Sequence, residues 1–344
     1  MPTTPTTFAI PNVFGMIAKD TYQGAATPGT FALATTKPVE WDDKPTWLED
    51  TSLRNVMTDG PFYTGQGVTL GEVTFPSSPI YVDSFGFPLG NIMGDVVTTG
   101  SVAPYASAFS LLNSTTGQGT THTFEQWYGP TTTSGARLFT GLTFTEVVIS
   151  WDVMKGWLSW SGKAACWMSQ SASAKPTDNQ TSVLPIPAWR NVMGLGGPAS
   201  GGTQVMTCKS GKITLTRKVK PNWTGFSSQN PYIMQRGSLN AKFDEMVFVA
   251  GDESIYNYMI NNTIPQFQLV FSNGLSGASQ GGLQIDAQAA SFRKSPPKFA
   301  DQDELITWNT SGKFDANTTN AGASGGESPL KITLTNAIAS GVYV

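Results

Sequence analysis

Apolar and polar residues alternate over many short runs of this chain, a pattern that predicts strands joined by turns. Val68-Thr-Leu-Gly-Glu-Val-Thr-Phe75 alternates as a half-buried strand does. Ser78 then stands as the cap of a predicted helix, with Pro79 in its first turn and Ile80, Leu89, Ile92 and Met93 directed inward; Gly86 and Pro88 must bend it. His122-Thr-Phe-Glu-Gln-Trp-Tyr128 reads as a strand. After Gly141 comes a long pair, Leu142 to Trp151 and Trp157 to Met168, turned at Lys155-Gly156.

The second half repeats that order. Gly211-Lys-Ile-Thr-Leu-Thr-Arg-Lys-Val219 alternates, and Leu239 to Phe243 and Met246 to Val249 add strand signal. Asp252 is placed to cap a helix from Glu253 to about Asn262, with Ile255 and Met259 on one face. Gln266 to Phe271, a Gly/Ser loop, Leu283 to Ala290 and Glu304 to Asn317 complete the half. The order hairpin, helix, strand, loop, strand pair thus occurs twice. Its anchor is Leu158-Ser-Trp-Ser-Gly-Lys163 against Ile306-Thr-Trp-Asn-Thr-Ser-Gly-Lys313; the shared tetrapeptide at Arg54 and Arg190 is short enough to arise by chance.

These signals divide the chain into an extended arm over residues 1–36, a first unit over 37–168, a linker over 169–187 and a second unit over 188–344. The expected fold is mainly β: two tandem β-sandwich or half-barrel units, each with one flanking helix.

Charge sharpens the picture. Residues 1–180 carry 8 basic and 14 acidic side chains and residues 181–344 carry 13 and 10, so the halves are unlike in sign and suited to head-to-tail contact. The whole chain, at −3, has no long basic run with which to hold nucleic acid tightly. Cys166 and Cys208 form no metal-ligand spacing, no apolar run approaches a membrane span, and the start lacks the basic and apolar parts of a signal peptide. Folding in the cytosol with free thiols is the expectation.

Little in the chain points to catalysis. His122, the only histidine, has no second histidine and no nucleophile motif beside it. The acidic pairs, such as Asp42/Asp43, Glu49/Asp50 and Asp244/Glu245, sit at turns without a calcium-loop spacing. The glycine-rich runs Gly65 to Gly67 and Gly194 to Gly197 lack a phosphate-loop context. Arg217, Lys218 and Lys220, and Arg293, Lys294 and Lys298, read as charged strand ends or protected edges. No enzyme and no cofactor is expected.

Tyr22-Gln-Gly-Ala-Ala-Thr-Pro28, Leu89-Gly-Asn-Ile-Met-Gly94, His122-Thr-Phe124, and Phe139-Thr-Gly-Leu142 leading to Ser161-Gly-Lys163 together resemble the tail tube proteins of long-tailed bacteriophages, of the kind with two tube domains in one chain. The resemblance spans most of residues 20–320; a Gly/Thr-rich insert at 95–120 departs from it. It implies a structural virion protein assembled in the host cytoplasm. Six tube domains would ring a channel, their strands joining into one inner barrel, so three copies would suffice, and rings would stack. Implied partners are the chain itself, the tape measure and tail terminator proteins, and phage DNA passing without specific binding; no membrane is involved. Glu146, Gln284, Asp286 and Gln288 are expected to face the lumen, where acidic and neutral side chains should outnumber Lys and Arg. Two other readings stay open: a decoration or baseplate subunit, and a carbohydrate-binding or glycoside-processing β-protein suggested by ten Trp.

Overall fold

A computed structural model describes residues 13–52, 60, 62–114, 116–128, 136–172, 177, 181, 183–225, 227–251, 253–299 and 304–344. Asp252, the expected cap, and Arg54 to Met57 lie outside them. The first half comprises β1 (Phe14–Lys19), β2 (Phe31–Ala32), β3 (Glu40–Asp43), β4 (Trp47–Asp50), β5 (Tyr63–Gln66), β6 (Gly71–Pro79), α1 (Gly86–Met93), β7 (Gly94–Thr99), β8 (Tyr105–Leu111), β9 (His122–Trp127), β10 (Ala136–Asp152), β11 (Ser159–Cys166) and β12 (Gln170–Ser171). The second comprises β13 (Asn191–Leu195), β14 (Gln204–Val205), β15 (Cys208–Asn222), β16 (Ile233–Val249), α2 (Ser254–Ile260), β17 (Phe267–Ser272), β18 (Gly282–Ala287), β19 (Ala290–Lys294), β20 (Pro297–Lys298), β21 (Thr307–Phe314) and β22 (Lys331–Asn336). The fold is mainly β, built of antiparallel sheets.

The repeat is carried strand for strand. One wide sheet runs β3-β6-β11-β10 through the first half and β15-β16-β21-β19 through the second. In each half the first two strands form one antiparallel pair and the last two another, and the inner partners of the pairs adjoin. A covering layer repeats too: β2-β1-β9-β10-β12 in the first half, β14-β13-β17-β18-β22 in the second. In the second half that layer is extended by β8 and β7, which pair onto β22. The Gly/Thr-rich stretch that breaks the sequence match is therefore an inserted hairpin with a place in the partner half's sheet.

β10 belongs to both layers of the first half. It is 17 residues long, and its register with β9 breaks between Phe139 and Leu142, around Gly141 at φ +64°. A side chain at that φ would be strained, so glycine lets the strand turn from one sheet into the other. β18 and β19 divide the same task in the second half.

The core lies between the layers. In the first half Phe75 packs on Phe144 and Trp160 within the wide sheet and meets Phe124 of the covering layer, while Phe243 and Phe314 meet Phe267 in the second, with centroids 5.1–6.4 Å apart. Each fully buried ring contributes about 1.5–3 kcal/mol.

Several expectations are corrected. The arm predicted over residues 1–36 includes a fully integrated strand: β1 pairs with β9 over six residues, and Met16 and Ile17 are fully buried. Phe14 to Lys19 does not alternate because it is covered on both faces, which hid it among irregular residues. Ser78 and Pro79 continue β6, Ser78 opposite Trp160, and the helix begins only at Gly86 after a turn. The stretch read as a linker, 169–187, contains β12 and the fully buried Ile186. Beyond Asn317, the alternating Lys331-Ile-Thr-Leu-Thr-Asn336 supplies a central covering strand where none was expected.

Candidate assembly surfaces

The halves meet inside the wide sheet. Glu146 to Asp152 of β10 pair with Thr216 to Ser210 of β15 over seven residues, so the last strand of one repeat adjoins the first of the next. The outermost strands, β3 and β19, have no strand on their outer sides among the described residues. They are the same two kinds of strand, first and last of a repeat, that join within the chain. β3 carries Glu40, Asp42 and Asp43. Asp43 accepts from the backbone and hydroxyl of Ser169, and Lys44 bridges Glu72 and Asp42. β19 and β20 carry Arg293, Lys294 and Lys298. The two edges are thus opposite in charge.

The face of the wide sheet turned away from the core follows from alternation with the buried aromatic rings. It carries Glu72, Thr74, Glu146, Ser150, Ser161, Lys163, Lys212, Thr214, Thr216, Asn240, Lys242, Asp244 and Lys313. Glu146 sits opposite Lys163, and Lys242 Nζ is 2.8 Å from Asp244. On this surface charges of both signs, four of them lysines, are interleaved with hydroxyl and amide side chains.

The four residues expected to line a channel do not share a surface. Glu146 lies on the open face of the wide sheet. Gln284 and Asp286 lie on β18 in the covering layer, whose outward face points the opposite way, because Leu283, Ile285 and Ala287 fill the core side. There Gln268 Nε2 and Gln284 Nε2 donate to the Asp286 carboxylate at 2.6 and 2.9 Å. Gln288 lies past the end of β18, its backbone N–H donating to Asn320 Oδ1. Alternation shows which residues avoid the core, but not in which sheet.

Exposed apolar residues collect at the two ends of the strands. Met154, Trp157, Leu184 and Trp189 surround the β10–β11 turn, with Met206 and Leu305 at the same end. At the other end stand Trp47, Leu48, Tyr63 and Tyr232, next to the β4–β5 hairpin and the tip between β15 and β16.

A polar knot fixes the seam between halves. Asn91 of α1 donates to Leu142 O and to His122 Nδ1, both at 2.8 Å, which sets the neutral histidine tautomer whose Nε2–H donates to Tyr343 O at 3.0 Å. Complete burial holds the His122 pKa down at about 3, with the nearby charge of Arg236 acting in the same direction. Arg236 and Arg217, on the extension of the β15–β16 hairpin, are buried and bond to backbone carbonyls. Arg217 reaches Ile92 O and Gly117 O, while Arg236 reaches Gly119 O and Thr120 O. Burial pulls the Arg236 pKa down to about 9, aided by Arg217. His122 is therefore placed for structure, and among the described residues no three His, Cys, Asp or Glu side chains gather as a metal site needs.

No family model and no curated protein matches this chain.

Proposed function

We propose that the chain is a structural subunit that closes into three-membered, pseudo-sixfold rings and stacks into a tube, the tail tube of a long-tailed bacteriophage. The observation that carries this reading is the wide sheet itself. It contains two repeats joined last strand to first strand, and among the described residues it ends in one first strand and one last strand with no strand beyond them. An edge of unpaired backbone groups seeks a partner, and the partner that fits β19 is the β3 of another copy, as β15 fits β10 within the chain. The acidic β3 and basic β19–β20 favour that pairing. Closure by repetition of one heterologous contact yields a ring, and apolar residues at both strand ends favour stacking along the axis.

In such a ring the open face of the wide sheet becomes the wall of the channel. Its interleaved charges and many hydroxyls suit DNA that must slide without being held, since a uniformly basic wall would gain counterion-release energy at every step. The tape measure and tail terminator proteins would be its other partners. Negative-stain microscopy of the purified protein, with the mass of solubilised rings, tests the reading: tubes with three subunits per ring are expected. A protein that stays monomeric at high concentration, or rings of six chains, would overturn it.

A further inference from the structure

The first two strands of each repeat are joined by a long excursion, and the two excursions have different fates. In the second half the β15–β16 hairpin runs on past the wide sheet and lies on the first half. Arg217, Met234 and Arg236 are buried there, and Arg217 closes over the end of α1 at Ile92. Arg236 closes over the segment before β9, and the tip reaches the foot of the first excursion through Gln229, which donates to Gln66 O and accepts from Thr69. In the first half the equivalent excursion is the β4–β5 hairpin. It makes a two-stranded sheet of its own, and Trp47, Leu48 and Tyr63 are each more than 60% exposed.

The receiving surfaces differ in the complementary way. The end of α1 and the segment before β9 are covered, with Ile92 and Met93 fully buried. The equivalent place in the second half is the end of α2 and the segment leading to β17, where Ile260 and Ile264 stand 57% and 47% exposed. The first repeat thus has a free arm and a covered shelf, and the second has a seated arm and a bare shelf.

We infer that the β4–β5 hairpin docks on a second copy of this chain, over Ile260 and Ile264 of the copy whose β19 lies beside its β3. Each arm then leans on the preceding half-unit, in cis at one seam and in trans at the next. The chemistry of the two contacts differs. The seated arm brings arginines to backbone carbonyls. The bare arm brings Leu48 and Tyr63, which share one face of the hairpin, to two isoleucines, an apolar match in which mutual burial drives association.

Arm docking rests on the ring reading, and crosslinking separates the two. Leu48→Cys with Ile264→Cys, treated with a short bismaleimide, is compared with Asp42→Cys with Arg293→Cys across the strand edges. All four positions are surface residues, and the native Cys166 and Cys208 are buried and free. Crosslinking between copies in both pairs, absent from each single variant, is the expected result. Crosslinking across the edges alone would overturn arm docking and leave the ring; crosslinking in neither pair would overturn both. As a second measure, Ile260→Asp with Ile264→Asp should raise the concentration needed for assembly by roughly tenfold or more, since two apolar side chains would lose their burial. Unchanged assembly with unchanged thermal stability would refute the contact.

Discussion

Gly312 of β21 lies directly opposite Phe243 of β16, so close that a Cβ at residue 312 would fall 2.4 Å from the phenyl ring and 2.0 Å from Ser291 O on the other side. Gly162 of β11 faces Phe75 of β6 in the first half, with more room: a Cβ there would stand 3.0 Å from Glu146 O and 3.2 Å from the Phe144 ring. The Ser-Gly-Lys anchor of the repeat thus has a cause. Each glycine lets a core phenylalanine lie flat against its strand.

Gly312→Ala is therefore expected to cost about 1–3 kcal/mol by overpacking, and Gly162→Ala clearly less. Urea unfolding of the two variants side by side checks the order; equal losses would mean that the sheet relaxes at both places.

Asp20 gives a pH signature. It is buried, and that burial raises its carboxyl to about 6 even though the hydroxyls of Thr121 and Thr123 donate to it at 2.6 Å. A carboxyl whose folded pKa lies above its unfolded value contributes stability at low pH that is lost as pH climbs through about 6. Asp20→Asn should flatten the fall in melting temperature between about pH 4 and 6. A fall of the same slope in the variant would locate the effect elsewhere.

His122 acts with the opposite sign. Its folded pKa of about 3 lies below the unfolded value, so its contribution is full above about pH 6.5 and fades as pH falls toward 3. His122→Gln should lower stability at neutral pH, by loss of the Tyr343 contact, yet lessen the further loss on acidification. Thermal scans at three or four pH values across this range decide it.

The edge charges allow a swap. Arg293→Glu with Lys294→Glu should prevent ring closure without unfolding the monomer, and adding Glu40→Lys with Asp42→Lys should restore it. Size-exclusion mass measurement reads this directly, and failure of the second pair to rescue would remove electrostatics from the edge contact.

Much of the architecture could be read from alternation, because a strand with one wet face writes its period into the sequence; Leu283 to Ala287 and Gly211 to Thr216 are examples. Phe14 to Lys19 could not, since burial on both faces erases the period. Ser78 and Pro79 imitate a helix start, but pairing with β11 holds them extended. Glu146, Gln284, Asp286 and Gln288, expected to face one lumen, are spread over different sheets for another reason. Local pattern identifies the wet face of a strand, whereas the sheet it joins is fixed by pairing with residues far along the chain, as Asp286 pairs with Lys331. The free edges that carry the functional reading are also products of long-range order, although the unlike charge of the halves pointed toward them.

The joining of β10 to β15 within one polypeptide has a consequence for the fidelity of construction. In the proposed ring, half-units bound in covalent pairs would enter only two at a time, so the backbone would enforce parity. A wall with one half-unit too many or too few could then not be made, and any miscounted ring would differ in circumference by a full pair, a mismatch large enough for a stacked neighbour to reject.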